Sequence, residues 1–350
     1  MKKWTAGLLV LLLAALPACG RPETPPRYEA TFLTLFDTVT TIVGYPDDKE
    51  TFTEQAQFIH DELERYHQLY DIYHDYDGVA NIKTINDHAG VSPVQVERPI
   101  IDLLHEAKDL YAFTGGKVNV AFGSVLSIWH DYRERGIDDP LSSELPPMGR
   151  LREAARHTGI EQVVIDEAAS TVYLADPEMR LDVGAIAKGY AVEQVCRAAE
   201  AKGIGNLLVS VGGNVRAIGS MDGCGSPWKV GVQNPDMGEG GSQFLCTVGL
   251  TDGSLVTSGS YQRYYMVEGK AYHHIIDPDT LMPAAYFAAV SVMTPDSGVA
   301  DALSTALYNM PYEEGLALVE GMADTEALWV MPDGSLRGSG GFADVVLKTE

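Results

Sequence analysis

The chain changes from strand to helix within Leu181-Asp182-Val183-Gly184-Ala185-Ile186-Ala187-Lys188-Gly189-Tyr190. Short strand-and-turn units precede this segment from Val163 onward, and helical periodicity follows it from about Ala185 to Lys202, ending at Gly203. A strand end, a carboxylate, a small-residue turn and a helix start bring free backbone N–H groups and a lysine close together. Such a corner can hold an anion and a metal ion, although a plain helix cap has the same pattern.

Helices and strands alternate irregularly on both sides of this corner. Apolar spacing predicts helices over Glu50–Tyr70, Arg98–Phe113 and Val299–Met310, whereas Asp71–Gly78 and Asn81–Gly90 are typical of loops. The polar, proline-rich stretch Ile128–Gly159 indicates a surface excursion with short helices. A first strand or a hairpin is predicted within Tyr28–Tyr45, ending at Gly44. Further strands are predicted at Leu207–Val211, Trp228–Val232, Phe244–Leu250, Ser254–Thr257, Tyr264–Val267 and Ala289–Met293. We expect a mixed α/β or α+β fold with one intertwined core.

Composition argues against intrinsically disordered, collagen-like and coiled-coil proteins. The 350 residues are 45% hydrophobic and 21% charged, which is typical of a globular protein. The formal net charge is −24, so the chain is a poor candidate for binding a nucleic-acid backbone. An acidic protein can still bind an anionic nucleotide through a few local cations, backbone N–H groups or a divalent metal ion.

The N-terminus predicts export and a lipid anchor. Residues 1–18 have a basic start and an apolar run too short to span a membrane, which is typical of a signal peptide. Cys19 follows a Leu-x-Ala sequence and so resembles a lipidated first residue; residues 19–30 would form a proline-rich tether and 31–350 the catalytic domain. An ordinary cleaved signal with a chance cysteine is the alternative. We expect an extracytoplasmic protein anchored to the bacterial membrane, on its outer face or its periplasmic side.

The remaining cysteines and a histidine repeat do not indicate a metal site. Cys196, Cys224 and Cys246 lack zinc-ligand spacing; Cys196 has the pattern of a helix core residue, and Cys224 with Cys246 could bridge adjacent strands. Histidines recur every seven residues at 60, 67 and 74, but His74 falls beyond the predicted helix, so a solvated face is the simpler interpretation.

Three further segments carry groups suited to chemistry. Asp301 and Thr305 share one face of an apolar helix, and their oxygens suit a hard cation such as Mg²⁺, although a helix N-cap explains the carboxylate equally well. The turn Thr257-Ser258-Gly259 offers hydroxyl and amide donors to a phosphate, and Gly212-Gly213 allows backbone to approach a flat ligand. His273 and His274 are adjacent on a strand and therefore point to opposite faces, so at most one serves the site.

In their order along the chain, these segments resemble the ApbE family of FAD:protein FMN transferases. The resemblance covers about Leu33 to Met310. It implies an ApbE-like intertwined core of mixed and antiparallel sheets flanked by helices, similar to a T-fold. The matching positions are Phe36-Asp37-Thr38, Asn86, Trp129, Asp182 to Tyr190, Gly212-Gly213, Thr257-Ser258-Gly259, His274 to Pro278, and Ala300-Asp301 with Thr305.

The resemblance also implies an activity and a set of site residues. The enzyme would split FAD with Mg²⁺, release AMP and attach FMN to a Ser or Thr of an exported redox-pump or reductase subunit. His274 and Asp301 would be catalytic, with His274 taking the proton of the acceptor hydroxyl. The implied metal ligands are the Ala185 carbonyl, Asp301, Thr305 and Ser304. The implied FAD contacts are Phe36, Tyr73, Val118, Asn119, Asp182, Lys188, Thr257, Ser258, Gly259 and Ile275.

Two positions depart from the family pattern, and two other functions stay open. The family usually has Asp at the position of Asn119 and Gly at that of Leu281, which puts substrate preference in question. Asp277 is expected to form the turn before Pro278. The alternatives are an FAD pyrophosphatase that produces FMN and AMP, and a lipoprotein that binds FAD without chemistry.

Overall fold

The computed structural model describes residues 26–236, 242–261 and 263–349, so the predicted leader and Cys19 lie outside the described residues. No helix within these ranges is long and apolar enough to cross a membrane. The helices are α1 (Lys49–Tyr70), α2 (Ile82–Asp87), α3 (Arg98–Phe113), α4 (Gly123–Asp138), α5 (Met148–Ala154), α6 (Ala187–Ala201), α7 (Ser297–Tyr308), α8 (Tyr312–Glu320) and α9 (Phe342–Val345). The strands are β1 (Tyr28–Phe32), β2 (Thr40–Gly44), β3 (Val94–Gln95), β4 (Val163–Asp166), β5 (Thr171–Leu174), β6 (Leu207–Val211), β7 (Asn214–Ile218), β8 (Trp228–Gln233), β9 (Phe244–Leu250), β10 (Ser254–Gly259), β11 (Tyr264–Val267), β12 (Lys270–His273), β13 (Ala289–Thr294), β14 (Glu326–Val330), β15 (Leu336–Gly338) and β16 (Val346–Thr349).

An eight-stranded antiparallel sheet organises the fold, in the order β1-β2-β6-β7-β10-β13-β14-β15. Because successive side chains alternate between faces, its central strands feed two cores. On β10, Val256 packs with the core under α1, α6 and α7, and Leu255 packs with the core shared with β8, β9 and β16. A third apolar cluster joins α4 to the hairpin β11–β12 through Trp129 and Tyr265. The mixed fold predicted from the sequence is confirmed.

Several predicted elements are confirmed within one or two residues, among them α1, α3, β6 and β9. The loop prediction for Asn81–Gly90 is wrong, because Asn81 caps α2. Its Oδ1 accepts from Thr84 N at 3.0 Å, its N–H donates to Thr84 Oγ1 at 3.2 Å, and α2 buries Ile82 and Ile85.

The surface excursion predicted for Ile128–Gly159 is wrong in its first part. Residues 128–138 belong to α4, whose Trp129 and Tyr132 are buried. Gly123 at the start of α4 admits the Arg180 carbonyl within 2.5 Å of where a Cβ would lie.

The three described cysteines are free, so the suggested bridge between Cys224 and Cys246 is wrong. Cys246 is buried on β9, whereas Cys224 lies exposed in a turn. Cys196 is buried in α6, as predicted.

Candidate active site

A cavity of about 430 Å³ lies where α4, α6, α7, β10 and the segment before β2 meet. That volume is within the usual range of small-ligand sites. The predicted catalytic, FAD-binding and metal-binding residues line this cavity, with one exception: Phe36, Tyr73, Val118, Asn119, Asp182, Ala185, Lys188, Thr257, Ser258, Gly259, His274, Ile275, Asp301 and Thr305. The exception is Ser304, which is fully buried in α7 behind the cavity wall.

Asp301 is held by two N–H donors on one carboxylate oxygen. Its Oδ2 accepts from the Gly189 backbone N–H at 2.8 Å and from Asn214 Nδ2 at 2.9 Å, and Lys188 Nζ lies 3.8 Å away. Burial raises the pKa of Asp301, while Lys188 and the two hydrogen bonds lower it. These contacts all fall on Oδ2 and fix the carboxylate in the cavity wall.

Close packing of α6 on α7 makes this arrangement possible. A Cβ at Gly189 would lie 2.2 Å from the Ser297 carbonyl oxygen and 2.4 Å from Asp301 Cβ. Any side chain at position 189 would therefore push the helices apart and lengthen the Gly189–Asp301 hydrogen bond. This is the physical reason for glycine directly after Lys188.

A row of hydroxyl groups joins β10 to α7. Ser258 Oγ lies 2.8 Å from Ser304 Oγ and 3.5 Å from Thr305 Oγ1, and Ser304 Oγ donates to the Asp301 carbonyl at 2.9 Å. Thr257 Oγ1 pairs with Ser291 Oγ on β13 at 2.7 Å. Ser304 thus ties the helix to the strand, whereas Thr305 lies on the cavity wall one turn after Asp301.

Only one of the adjacent histidines lines the cavity, as predicted, but strand faces are not the reason, because β12 ends at His273 and His274 lies just beyond it. His273 uses both ring nitrogens, because Nε2–H donates to the Ala284 carbonyl at 2.8 Å and Nδ1 accepts from Ile275 N at 3.2 Å. His274 lines the cavity, and its Nδ1–H donates to the Arg263 carbonyl at 3.3 Å, which leaves the lone pair on Nε2. Burial, with Arg263 and Arg133 nearby, lowers the pKa of His274 to about 3. The imidazole is therefore neutral at physiological pH.

A cationic and aromatic wall, not predicted from the sequence, faces His274. Arg133 donates to His130 Nδ1 at 2.8 Å, and the His130 ring stacks on Tyr73 with 5.1 Å between ring centroids. Arg133 and Arg263 line the cavity, where burial lowers the pKa of Arg133. In so acidic a chain, two arginines beside a buried carboxyl favour an anionic ligand. His130 and Arg133 lie on one face of α4 with Trp129, a helical spacing that the prediction of a surface excursion for this region missed.

Phe36 holds an unusual backbone conformation at the cavity. Its φ is 53°, a left-handed value that is uncommon outside glycine. Its N–H donates to His67 Nδ1 at 3.3 Å, and the two rings meet edge-to-face at 5.4 Å. Asp71 orders the neighbouring loop by accepting from Tyr73 N at 2.6 Å and from Tyr76 Oη at 2.8 Å. The contacts with His67 thus hold Phe36 in its strained conformation, and the neighbouring hydrogen bonds of Asp71 fix the position of Tyr73.

The two positions that depart from the family pattern make specific local contacts. Asn119 Nδ2 donates to the Thr158 carbonyl at 2.9 Å, and its Oδ1 accepts from Ala121 N at 2.9 Å. An aspartate could not make the first of these bonds. Leu281 has φ 61° and is buried, and its carbonyl accepts from Trp129 Nε1 at 3.0 Å. Asp277 caps the same turn through Asp279 N and Thr280 Oγ1, as expected.

Known proteins share both the sequence pattern and the fold. The model of the ApbE family matches residues 36–329. The FAD:protein FMN transferase of Treponema pallidum is 31% identical over 364 aligned positions, covering 98% of this chain and 95% of the relative. The FAD:protein FMN transferase of Escherichia coli K12 is 28% identical, covering 93% and 95%. The solved ApbE protein of Thermotoga maritima has a TM-score of 0.78 at 28% identity and covers 91% of this chain and 99% of its own. For the flavin transferase ApbE of Vibrio cholerae the TM-score is 0.73 at 25% identity, with 91% and 100% covered.

Proposed function

The chain belongs to the ApbE family, and from that membership we propose that it moves FMN from FAD to a serine or threonine of an exported protein and releases AMP. It is an enzyme, a flavin transferase that uses FAD and a protein acceptor, as its curated relatives are. One observation carries the finer proposal. The Asp301 carboxylate is fixed through Oδ2 in the same cavity wall as Thr305, Ala185 and Lys188.

The donor set on this wall suits Mg²⁺. A carboxylate oxygen, a threonine hydroxyl and a backbone carbonyl are hard oxygen ligands, and Asp301, Thr305 and Ala185 supply them. When bound, the ion would stabilise negative charge on the pyrophosphate and on the leaving AMP. Lys188, 3.8 Å from Asp301, adds a second positive charge at the same end of the cavity.

The transfer itself needs a proton acceptor and a fixed geometry. The acceptor oxygen bonds to the FMN phosphorus, the bond from that phosphorus to the AMP oxygen breaks, and the hydroxyl proton goes to His274 Nε2. In the free enzyme, burial and then Arg263 and Arg133 lower the pKa of His274 to about 3, so it is a weak base. We expect a bound pyrophosphate to offset the two arginine charges and so to raise the pKa, which would make proton transfer dependent on the bound substrate.

The proposed location is the outer or periplasmic face of the bacterial membrane. The leader in residues 1–18 and the cysteine at position 19 support this placement. Labelling with radioactive fatty acid is the test: the wild-type chain should incorporate label and Cys19→Ala should not. Equal incorporation by both would reject the anchor.

The transfer assay combines the purified protein, FAD, Mg²⁺ and a small carrier with an Asp-x-x-Ser/Thr-Gly-Ala-Ser/Thr segment, the acceptor context that the resemblance to the ApbE family implies. Flavin fluorescence of the carrier on a denaturing gel should appear with Mg²⁺ and vanish with EDTA. Asp301→Asn should abolish it without unfolding the protein. Asp222→Asn should not, because that carboxylate caps an exposed turn through Cys224 N outside the cavity. Free FMN and AMP without a labelled carrier would identify a pyrophosphatase, and intact bound FAD would identify a carrier protein.

A further inference from the structure

We propose that Asn309 determines nucleotide specificity by hydrogen-bonding the adjacent donor and acceptor atoms of a nitrogen heterocycle in the bound substrate. The inference rests on the proposed function, since it takes FAD as the ligand. Asn309 follows the last turn of α7 and lines the cavity, and it is only 1% exposed. Within the described part of the chain, its Oδ1 has no hydrogen-bond partner.

The helix end does not explain this asparagine. The cap of α7 is made by backbone, with Asn309 N–H donating to the Ala306 carbonyl at 3.0 Å. Its φ is −98°, so the left-handed conformation that often selects asparagine after a helix is absent at this residue. A buried polar atom without a partner destabilises the folded protein. The side chain is therefore explained by a group that enters the cavity.

The position along α7 indicates which part of the ligand Asn309 meets. Asp301, Thr305 and Asn309 recur at four-residue steps and all line the cavity. At 1.5 Å per residue, Asn309 lies about 12 Å along the helix from Asp301. It also lies at the negative end of the helix dipole, which disfavours phosphate. With the pyrophosphate at Asp301 and Lys188, an uncharged ring of the dinucleotide reaches Asn309.

The carboxamide group selects the chemistry of that ring. It presents one acceptor oxygen beside an NH₂ donor, and pairs with any edge that has a donor next to an acceptor. FAD has two such edges: the N–H and carbonyl edge of the flavin, and the amino and ring-nitrogen edge of adenine. Either edge can form the same pair of hydrogen bonds with Asn309, and binding of FMN and of ADP, measured separately, distinguishes the two.

The test measures binding and stability of Asn309→Leu, which has similar volume and no polar atoms. The Kd for FAD should rise roughly 3- to 10-fold, the range for one lost neutral hydrogen bond. The unfolding temperature without ligand should stay equal or rise, because an unpaired buried carbonyl has been removed. Ser254→Ala is the matched control, since Ser254 Oγ is also buried without a partner but lies outside the cavity lining. It should leave the Kd unchanged.

Calorimetric titration with FMN and with ADP identifies the ring. Weaker FMN binding with unchanged ADP binding assigns the flavin, and the reverse assigns adenine; either result supports the proposal. An unchanged Kd for FAD overturns it. So does an equal loss for FMN and ADP with a lower unfolding temperature, which indicates a structural role. Asn309→Ala gives a second variant with the same expected loss of affinity. Failure of the transfer assay by a wild-type protein that binds FAD would count against the proposed function alone.

Discussion

Replacing either partner of the buried ion pair between Glu193 and Arg216 should destabilise the protein strongly, and replacing both together should cost clearly less than the sum of the two single changes. Glu193 Oε2 accepts from Arg216 Nε at 3.0 Å and from Ser297 N at 2.9 Å. Its Oε1 accepts from Arg197 Nε at 2.9 Å. The side chains of the pair are 3% and 7% exposed. The pair joins α6, β7 and the start of α7, the same elements that supply Gly189, Asn214 and Asp301 to the site.

The magnitude follows from leaving one buried charge with a weaker partner. Glu193→Gln keeps an acceptor for Ser297 N but leaves Arg216 with only the partly exposed Glu200, 3.4 Å from its Nη2, as an anionic partner. Arg216→Met leaves Glu193 with only the partly exposed Arg197 as a cationic partner. Removing one partner of a buried pair costs roughly 3–5 kcal/mol. We expect about 3 kcal/mol for each single variant, since other hydrogen bonds remain. The double variant has no unpaired buried charge, so the coupling energy should be about 2–3 kcal/mol.

Urea unfolding of the wild type, both single variants and the double variant gives this coupling directly. The exposed pair Arg65–Glu97, at 2.6 Å with about half of each side chain accessible, is the control. The same substitutions there should couple by less than about 1 kcal/mol. If the losses of unfolding free energy in the two single variants add up to that of the double variant within about 0.5 kcal/mol, the buried pair does not hold α6, β7 and α7 together.

Three further predictions concern the cavity and its departures from the family. Because the pKa of His274 is about 3 when folded and about 6.5 when unfolded, the unfolded chain binds more protons between these values and stability falls as pH drops from 6.5. His274→Asn should reduce that slope by at most about 1.4 kcal/mol per pH unit, and equal slopes in urea titrations at pH 7 to 5 would contradict the low pKa. Leu281→Gly should be no less stable than Leu281→Ala, because a left-handed backbone costs an L-residue about 1–2 kcal/mol. At Leu103 in α3, the control site, the alanine variant should be the more stable by about 1 kcal/mol. The same order of stability at both sites would reject backbone strain at Leu281. Asn119→Asp should cost about 1–3 kcal/mol by removing the donor to Thr158, and an unchanged urea midpoint would show that this bond does not select asparagine.

The sequence predicts those elements whose local pattern and tertiary packing agree. The helix α3 runs from Arg98 to Phe113 as predicted, because its apolar residues recur at helical spacing and a proline opens its first turn. The helix α4 does not follow from the sequence, since it begins at a glycine and carries many polar residues. Its buried face depends on contacts with Tyr265 and Leu281, which are distant along the chain. The interior strand β14 was not predicted, for the same reason: it is stabilised by pairing with β13, which lies 30 or more residues earlier in the chain.

The site divides in the same way. Residues within recognisable local motifs, such as Asp301 and His274, could be predicted, and all but Ser304 of the predicted set line one cavity. Arg133, Arg263 and Asn309 could not, since they come from segments without a local signature and meet only in the folded chain. The expectation that only one of the two histidines serves the site agrees with the structure, although its stated reason does not hold, because His274 lies beyond the end of β12.

The most direct test of the flavin transfer is to determine the intact mass of the carrier and the nucleotide released in the same reaction. We expect the carrier to gain the mass of FMN less one water, one AMP to appear for each modified carrier, and a Ser/Thr→Ala carrier to stay unmodified. An unmodified wild-type carrier in the presence of AMP and free FMN would contradict it.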